Sequence, residues 1–220
     1  MYIQLEGQIL SYEKDGEGSP VILLHGNGES HEIFDVLSQQ LTKNHTVYAI
    51  DSRGQGGSAT PNSYHYKDMA KDVILFITSL EIEKPSIIGF NDGGVIALLV
   101  AMERSDLLSS IVVCGANLSP KGLKGSALRE IKKLYKKNGS PLVQMMLVEP
   151  NINESELQKI SVPTLICAGD DDMIKPKETE KIFHNIPGAK GHIFKNATHS
   201  SYVEHSDALM NVLPVFWGEE

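Results

Sequence analysis

Short apolar runs alternate with segments of helical period along most of this chain, and no other feature restricts its fold as much. Pro20-Val21-Ile22-Leu23-Leu24 and Thr46-Val47-Tyr48-Ala49-Ile50 are continuous apolar runs, as expected of strands covered by helices on both faces. Between them Ile33, Phe34, Leu37 and Leu41 recur at helical spacing across residues 31–43, which predicts a helix. The alternation continues with a helix over 66–80, a strand over 86–89 and a helix over 93–104. Strands over 111–115 and 164–169, a helix over 177–184, a strand over 191–194 and a closing helix over 201–216 follow. Residues 2–13, split by Glu6-Gly7, read as an antiparallel hairpin that leads into the turn Asp15-Gly16-Glu17-Gly18. Strand, helix and strand in succession pair in parallel through right-handed crossovers. The expected fold is α/β, a doubly wound, mostly parallel sheet of about eight strands, with residues 1–220 forming one domain of ordinary size.

One stretch breaks the rhythm. No strand is expected between Gly115 and Pro163; helical runs over 127–137 and 141–148 and a short one over 154–159 stand there instead. Such an insertion, residues 118–162, would lie as a short helical lid over the carboxyl ends of the strands, where open parallel sheets bind ligands. It carries a net charge of +4, against −12 for the rest of the chain. Lys132, Lys133, Lys136 and Lys137 form the wet face of an amphipathic helix expected to bury Leu128, Ile131 and Tyr135. Attraction of an anionic substrate is the alternative use of that charge.

The formal net charge of −8 argues against broad affinity for nucleic acid or anionic lipid, both of which need clustered Lys and Arg. The longest apolar stretch, 95–102, falls short of the roughly 20 residues of a membrane span. The first residues lack the basic and apolar regions of a secretory signal. Cys114 and Cys167 sit inside strand-like runs and read as buried reduced thiols. These features point to a cytoplasmic protein with a small-molecule partner. No His/Cys ligand cluster and no phosphate-cradling glycine loop is present, so no metal and no cofactor is expected.

Three polar islands fall at the ends of predicted strands: Gly89-Phe90-Asn91-Asp92-Gly93-Gly94, then Gly169-Asp170-Asp171-Asp172, then Asn196-Ala197-Thr198-His199. Parallel strands put all three at one edge of the sheet. Together with Leu24-His25-Gly26-Asn27-Gly28 and the loop Asp51-Ser52-Arg53-Gly54-Gln55-Gly56-Gly57-Ser58, they make nearly the whole chain resemble the α/β-hydrolase fold superfamily. That family sets its nucleophile in a Gly-x-Ser-x-Gly elbow, followed in chain order by an acid and a histidine. The resemblance implies that Asn91 holds the nucleophile position, Asp172 the acid and His199 the base. It implies further that the backbone N–H groups of Asn27 and Asp92 form the oxyanion hole. Asp170 and Asp171 compete with Asp172, and spacing from Gly169 favours Asp172. His25 is expected to shape the oxyanion loop, and His184 and His205 to lie on the surface. Met145 and Met146 are expected to be lid core, with an acyl-binding pocket as their alternative role.

Asparagine cannot act as serine does. It has no hydroxyl for a histidine to deprotonate, and its nitrogen lone pair is delocalised into the carbonyl. Making Asp92 the nucleophile would put Phe90 where a small residue is required. Four accounts of Asn91 stay open: a serine hydrolase trapped or silenced at its nucleophile, a relative kept as a ligand-binding or receptor-like module, an enzyme using His199 and Asp172 as a general base without a covalent intermediate, and deamidation of Asn91 to aspartate. The activity the resemblance implies is hydrolysis of small carboxylic ester or acyl substrates, with covalent catalysis impaired in this chain.

Overall fold

A computed structural model of the protein describes residues 1–219. Its sheet has eight strands: β1 (Tyr2–Leu5), β2 (Gln8–Asp15), β3 (Ser19–Leu24), β4 (His45–Ile50), β5 (Ser86–Phe90), β6 (Ser110–Cys114), β7 (Thr164–Asp171) and β8 (Lys190–Thr198). Their spatial order is β1-β2-β4-β3-β5-β6-β7-β8. The β1–β2 and β2–β4 pairs are antiparallel and every other pair is parallel.

The continuous apolar runs follow from helices on both faces. Ile22 and Leu24 of β3, with Ile87 and Ile111, pack towards Phe76 of α2 (Tyr66–Ser79) and Val95, Ile96 and Leu98 of α3 (Asp92–Arg104). The alternate residues Val21 and Leu23, with Ile88 and Val112, pack towards Phe34, towards Leu37 and Leu41 of α1 (Asp35–Leu41), and towards Tyr202 and Leu213. Strand period two thus divides one apolar run between two cores. From β3 the chain crosses to β4 on one side and then to β5 on the other. The carboxyl ends of β3 and β5 therefore flank the switch point at which such sheets form a binding crevice.

Between β6 and β7 lie two short 3-10 turns, α4 (Gly125–Asn138) and α5 (Pro141–Val148). Gly139, at φ 62°, ends α4 in the left-handed conformation and donates to the Tyr135 carbonyl, while the Ser140 hydroxyl caps α5 at Val143. The stripe expected to bury α4 is weaker than its periodicity suggests. Leu128, Ile131 and Tyr135 are half-buried, and Leu134 stands 46% exposed. Helix α4 packs chiefly on α5 rather than on the sheet, so its apolar side meets one short helix instead of a layer.

The expected closing helix over 201–216 is not one helix. A turn over 201–205 is followed by a 3-10 segment at Ala208–Asn211 and a short α7 (Leu213–Trp217). Two features divide it. His205 turns to φ 48° and donates its N–H to the Ile33 carbonyl. Pro214, which has no N–H to give, sits in the first turn of α7, a position it tolerates where a helix interior would not. The helix α6 (Pro176–Asn185) covers the β7–β8 end. Among the described residues, no helix is long and apolar enough to cross a membrane.

Candidate active site

Asn91 is the single residue between β5 and α3, with φ 52° and ψ −113°. For a residue with a Cβ this backbone costs about 1–3 kcal/mol and persists only where its surroundings enforce it. Here they do. The Asn91 N–H donates to the Cys114 carbonyl at 2.9 Å, and its own carbonyl accepts from Gly94 and Val95 at 3.0 and 3.1 Å. The Gly93 N–H donates to the His25 carbonyl at 3.0 Å. A Cβ at Gly93 would overlap the Leu24 carbonyl, so only glycine lets α3 start this close to β3.

Asp172 and His199 follow β7 and β8, the last two strands of the sheet. The ladder between β7 and β8 shifts register between Gly169 and Asp171, and that irregularity sorts the three aspartates. Asp170 turns its carboxylate onto the N–H groups of Asn196 and Ala197, at 3.0 and 3.1 Å. Asp171 is exposed and 3.5 Å from Lys124. Asp172 is buried, and its Oδ1 accepts from the Ile174 N–H at 2.9 Å and lies 2.6 Å from His199 Nδ1. The other imidazole nitrogen, Nε2, lies 2.8 Å from the Asn91 carboxamide nitrogen. A carboxamide nitrogen only donates, so Nε2 accepts and the ring proton sits on Nδ1, donating to Asp172. Gly115 packs flat against this pair: a Cβ there would lie 2.7 Å from His199 Cε1.

On the far side of the carboxamide, the Asn27 N–H approaches Asn91 Oδ1 at 3.4 Å. The first amides of a helix lack intrahelical partners. Those of Gly93, Gly94 and Val95 are engaged as described, while the Asp92 N–H has no partner among the described residues. The Asn91 carboxamide therefore spans from His199, through Nδ2, to the Asn27 N–H, through Oδ1.

The neighbouring side chains hold this frame. Asp92 is fully buried; its Oδ1 accepts from the Tyr66 hydroxyl at 2.6 Å and its Oδ2 from the Asn27 carboxamide at 2.7 Å. Burial pushes the Asp92 carboxyl up to about 6 against the pull of those two donors. Glu29 Oε2 accepts from the Gly26 N–H at 2.8 Å. Burial, then a hydrogen bond shared with Glu204, pushes Glu29 up to about 8. His25 accepts from the Ser52 N–H at 3.0 Å through Nε2 and donates through Nδ1 to the Gly26 carbonyl at 2.7 Å. Burial lowers its affinity for a second proton, so it braces the loop as a neutral ring.

Met145 is buried in the core on the α2–α3 side and Met146 is half-buried. Their helix reaches the site through the Leu142 carbonyl, 3.5 Å from the Asn27 carboxamide nitrogen. His184 and His205 are exposed, the latter 2.9 Å from Asp35. A cleft of about 480 Å³ opens behind Asp172, between β7, β8 and α6, lined by Ile166, Ala168, Ile174 and Phe183. Tyr66, Glu29 and Gly115 are the site neighbours that sequence reasoning missed. Gly115, ending an apolar run beside the strand of Asn91, carried the one signal that could have found it.

A model of the alpha/beta hydrolase fold family matches residues 19–144, more than half of the chain. The chain belongs to that family. Among relatives of this alpha/beta hydrolase, the human protein "Serine hydrolase BPHL" is 25% identical over 238 residues, covering 93% of this chain and 81% of that one. The "Pimeloyl-[acyl-carrier protein] methyl ester esterase" of Aliivibrio fischeri (strain MJ11) is 21% identical, covering 94% and 96%. An esterase from Exiguobacterium antarcticum has the same fold, with a TM-score of 0.86 at 21% identity over 100% of this chain and 99% of that one. By family resemblance this alpha/beta hydrolase is a hydrolase.

Proposed function

We propose that this chain keeps the acyl-hydrolase site of its family with Asn91 at the nucleophile position, and that its natural substrates are small carboxylic esters or related acyl compounds. The observation that carries the reading is the Asn91 carboxamide held between His199 Nε2 and the Asn27 N–H on a strained elbow. Asp172 orients the imidazole, and the N–H groups of Asn27 and Asp92 face the position where a tetrahedral oxyanion would form. No acyl-enzyme forms through a carboxamide, so covalent catalysis is impaired in the chain as encoded. The relatives named as an esterase and a methyl ester esterase support the substrate class. The insertion over 118–162 serves as the lid, touching the oxyanion loop through the Leu142 carbonyl and Asn27; Met145 packs in the core, which leaves Met146, half-buried, as the methionine available to the acyl side. The buried free thiols of Cys114 and Cys167 suit a reducing cytoplasm.

A second reading, a ligand-binding module without turnover, is favoured by one contact. The Asn91 amide occupies the only lone pair through which His199 would act as a base.

Hydrolysis of p-nitrophenyl acetate and butyrate by this chain and by Asn91→Ser, with His199→Ala in each as the blank, tests both. Serine is expected to raise turnover by at least about 10²-fold, and His199→Ala to remove the gain. An inert Asn91→Ser variant that still binds acyl ligands would leave the binding reading in place of the esterase one.

A further inference from the structure

The carboxamide of Asn91 is an amide held as an acyl-transfer site holds its substrate. Its oxygen meets the Asn27 N–H at 3.4 Å, and its nitrogen, the atom that would leave, lies 2.8 Å from His199 Nε2. Asp172 steadies the imidazole from behind. Asn91 is half-buried. We propose that Asn91 is a self-modification site: the chain hydrolyses its own Asn91 carboxamide to an aspartate, with water as the co-reactant.

The step balances with water alone. Once a water displaces the Asn91 N–H from His199 Nε2, that nitrogen takes a proton from the water as its oxygen bonds to Asn91 Cγ, and the negative charge passes to Oδ1, facing the Asn27 N–H. The imidazolium then hands the proton to Nδ2, the Cγ–Nδ2 bond breaks, and ammonia departs, taking a further proton from the new carboxylic acid. A carboxylate at position 91 results, and His199 returns to its starting state. The inference rests on the assignment of His199 and the Asn27 N–H to base and oxyanion donor, and it concerns the residue that the esterase reading treats as inert.

The competing chemistry needs none of these groups. Attack of the Asp92 backbone nitrogen on Cγ gives a succinimide, which opens to a mixture dominated by isoaspartate. The two routes are therefore separable by product and by dependence on His199.

The full chain, freshly purified and then held for days near neutral pH in water enriched in oxygen-18, is followed by intact mass and by peptide mapping across position 91. His199→Ala and Asp172→Asn run in parallel, each checked for folding by circular dichroism, so that collapse of one variant leaves the other to report. Expected is conversion to normally linked aspartate carrying one labelled oxygen, slowed by about 10²–10⁴-fold in the folded variants. A chain already converted on isolation, while the variants retain asparagine, supports the proposal equally. Persistence of Asn91 in the unsubstituted chain, or isoaspartate forming at the same rate in the variants, overturns it. Failure here beside an active Asn91→Ser esterase sinks only the self-modification; failure of both sinks the assignment of the site.

Discussion

Gly115, at φ 59°, lies against the imidazole of His199 so closely that a single methyl group on it would stand 2.7 Å from Cε1 and 2.9 Å from Nδ1. The ring is thus gripped between a backbone on one side and Asp172 on the other. Gly115→Ala is expected to push His199 away from Asp172 and to strain the positive φ. The cost is about 1–3 kcal/mol of stability, or roughly 2–12 °C in melting temperature for a domain of this size. In an Asn91→Ser background it should also cut ester turnover by at least about 10-fold. Unchanged turnover and melting would show that the imidazole has room the structure denies it.

The elbow itself can be weighed. Asn91→Gly removes a Cβ from a backbone that costs about 1–3 kcal/mol, and gives up two side-chain hydrogen bonds of about 0.5–1.5 kcal/mol each. The two nearly cancel, so thermal unfolding should fall within a few degrees of the unsubstituted chain. A large drop would mean that the carboxamide contacts, rather than backbone relief, dominate at position 91.

Tyr66→Phe deletes one of two donors to a carboxyl that is fully buried. A buried acceptor that loses its partner costs about 1–3 kcal/mol. The expected result is a lower melting temperature and an Asp92 carboxyl shifted above its present value of about 6, read by carbon-13 titration of that side chain. An unmoved titration would remove Tyr66 from the support of the elbow.

Glu29 gives a pH dependence with a definite sign. Its carboxyl holds a proton in the fold up to about 8, first because of burial and then because of Glu204. The unfolded chain releases that proton near the ordinary carboxylate value, so the contribution is complete in acid and is lost as pH rises through about 8. Allowing for its partial exposure, the loss is about 1–2 kcal/mol, or roughly 2–8 °C. Glu29→Gln keeps an acceptor for the Gly26 N–H and has no proton to release. Its melting temperature should decline less between mildly acidic and alkaline buffer than that of the natural chain. Parallel declines would refute the shared proton.

Most of the layer structure was legible because it is written in local periodicity: Ile22 and Leu24 alternate with Val21 and Leu23, and the structure sends each pair to a different core. Of the three aspartates it is Asp172 that meets His199, and the register shift that separates it from its neighbours is a property of the strand pair and not of the acidic run. What escaped was tertiary. The Tyr66 hydroxyl and Asp92 meet across two helices, so helical spacing places Tyr66 at a start and cannot show its partner. The closing helix failed at Pro214, a breaker present in the sequence and outweighed in the reading by the apolar residues around it. The half-buried stripe of α4 failed for the opposite reason, because periodicity fixes which side of a helix is apolar and not how much protein lies beneath it.

Strand β8 sits at the outer edge of the sheet and pairs with β7 alone, and His199 follows directly from it. During synthesis Asn91 leaves the ribosome more than a hundred residues before its imidazole partner. The central strands can assemble around the elbow while the nascent chain still lacks His199. Only the docking of β8 brings the imidazole to the carboxamide, so the contact between Asn91 and His199 waits on the edge of the sheet.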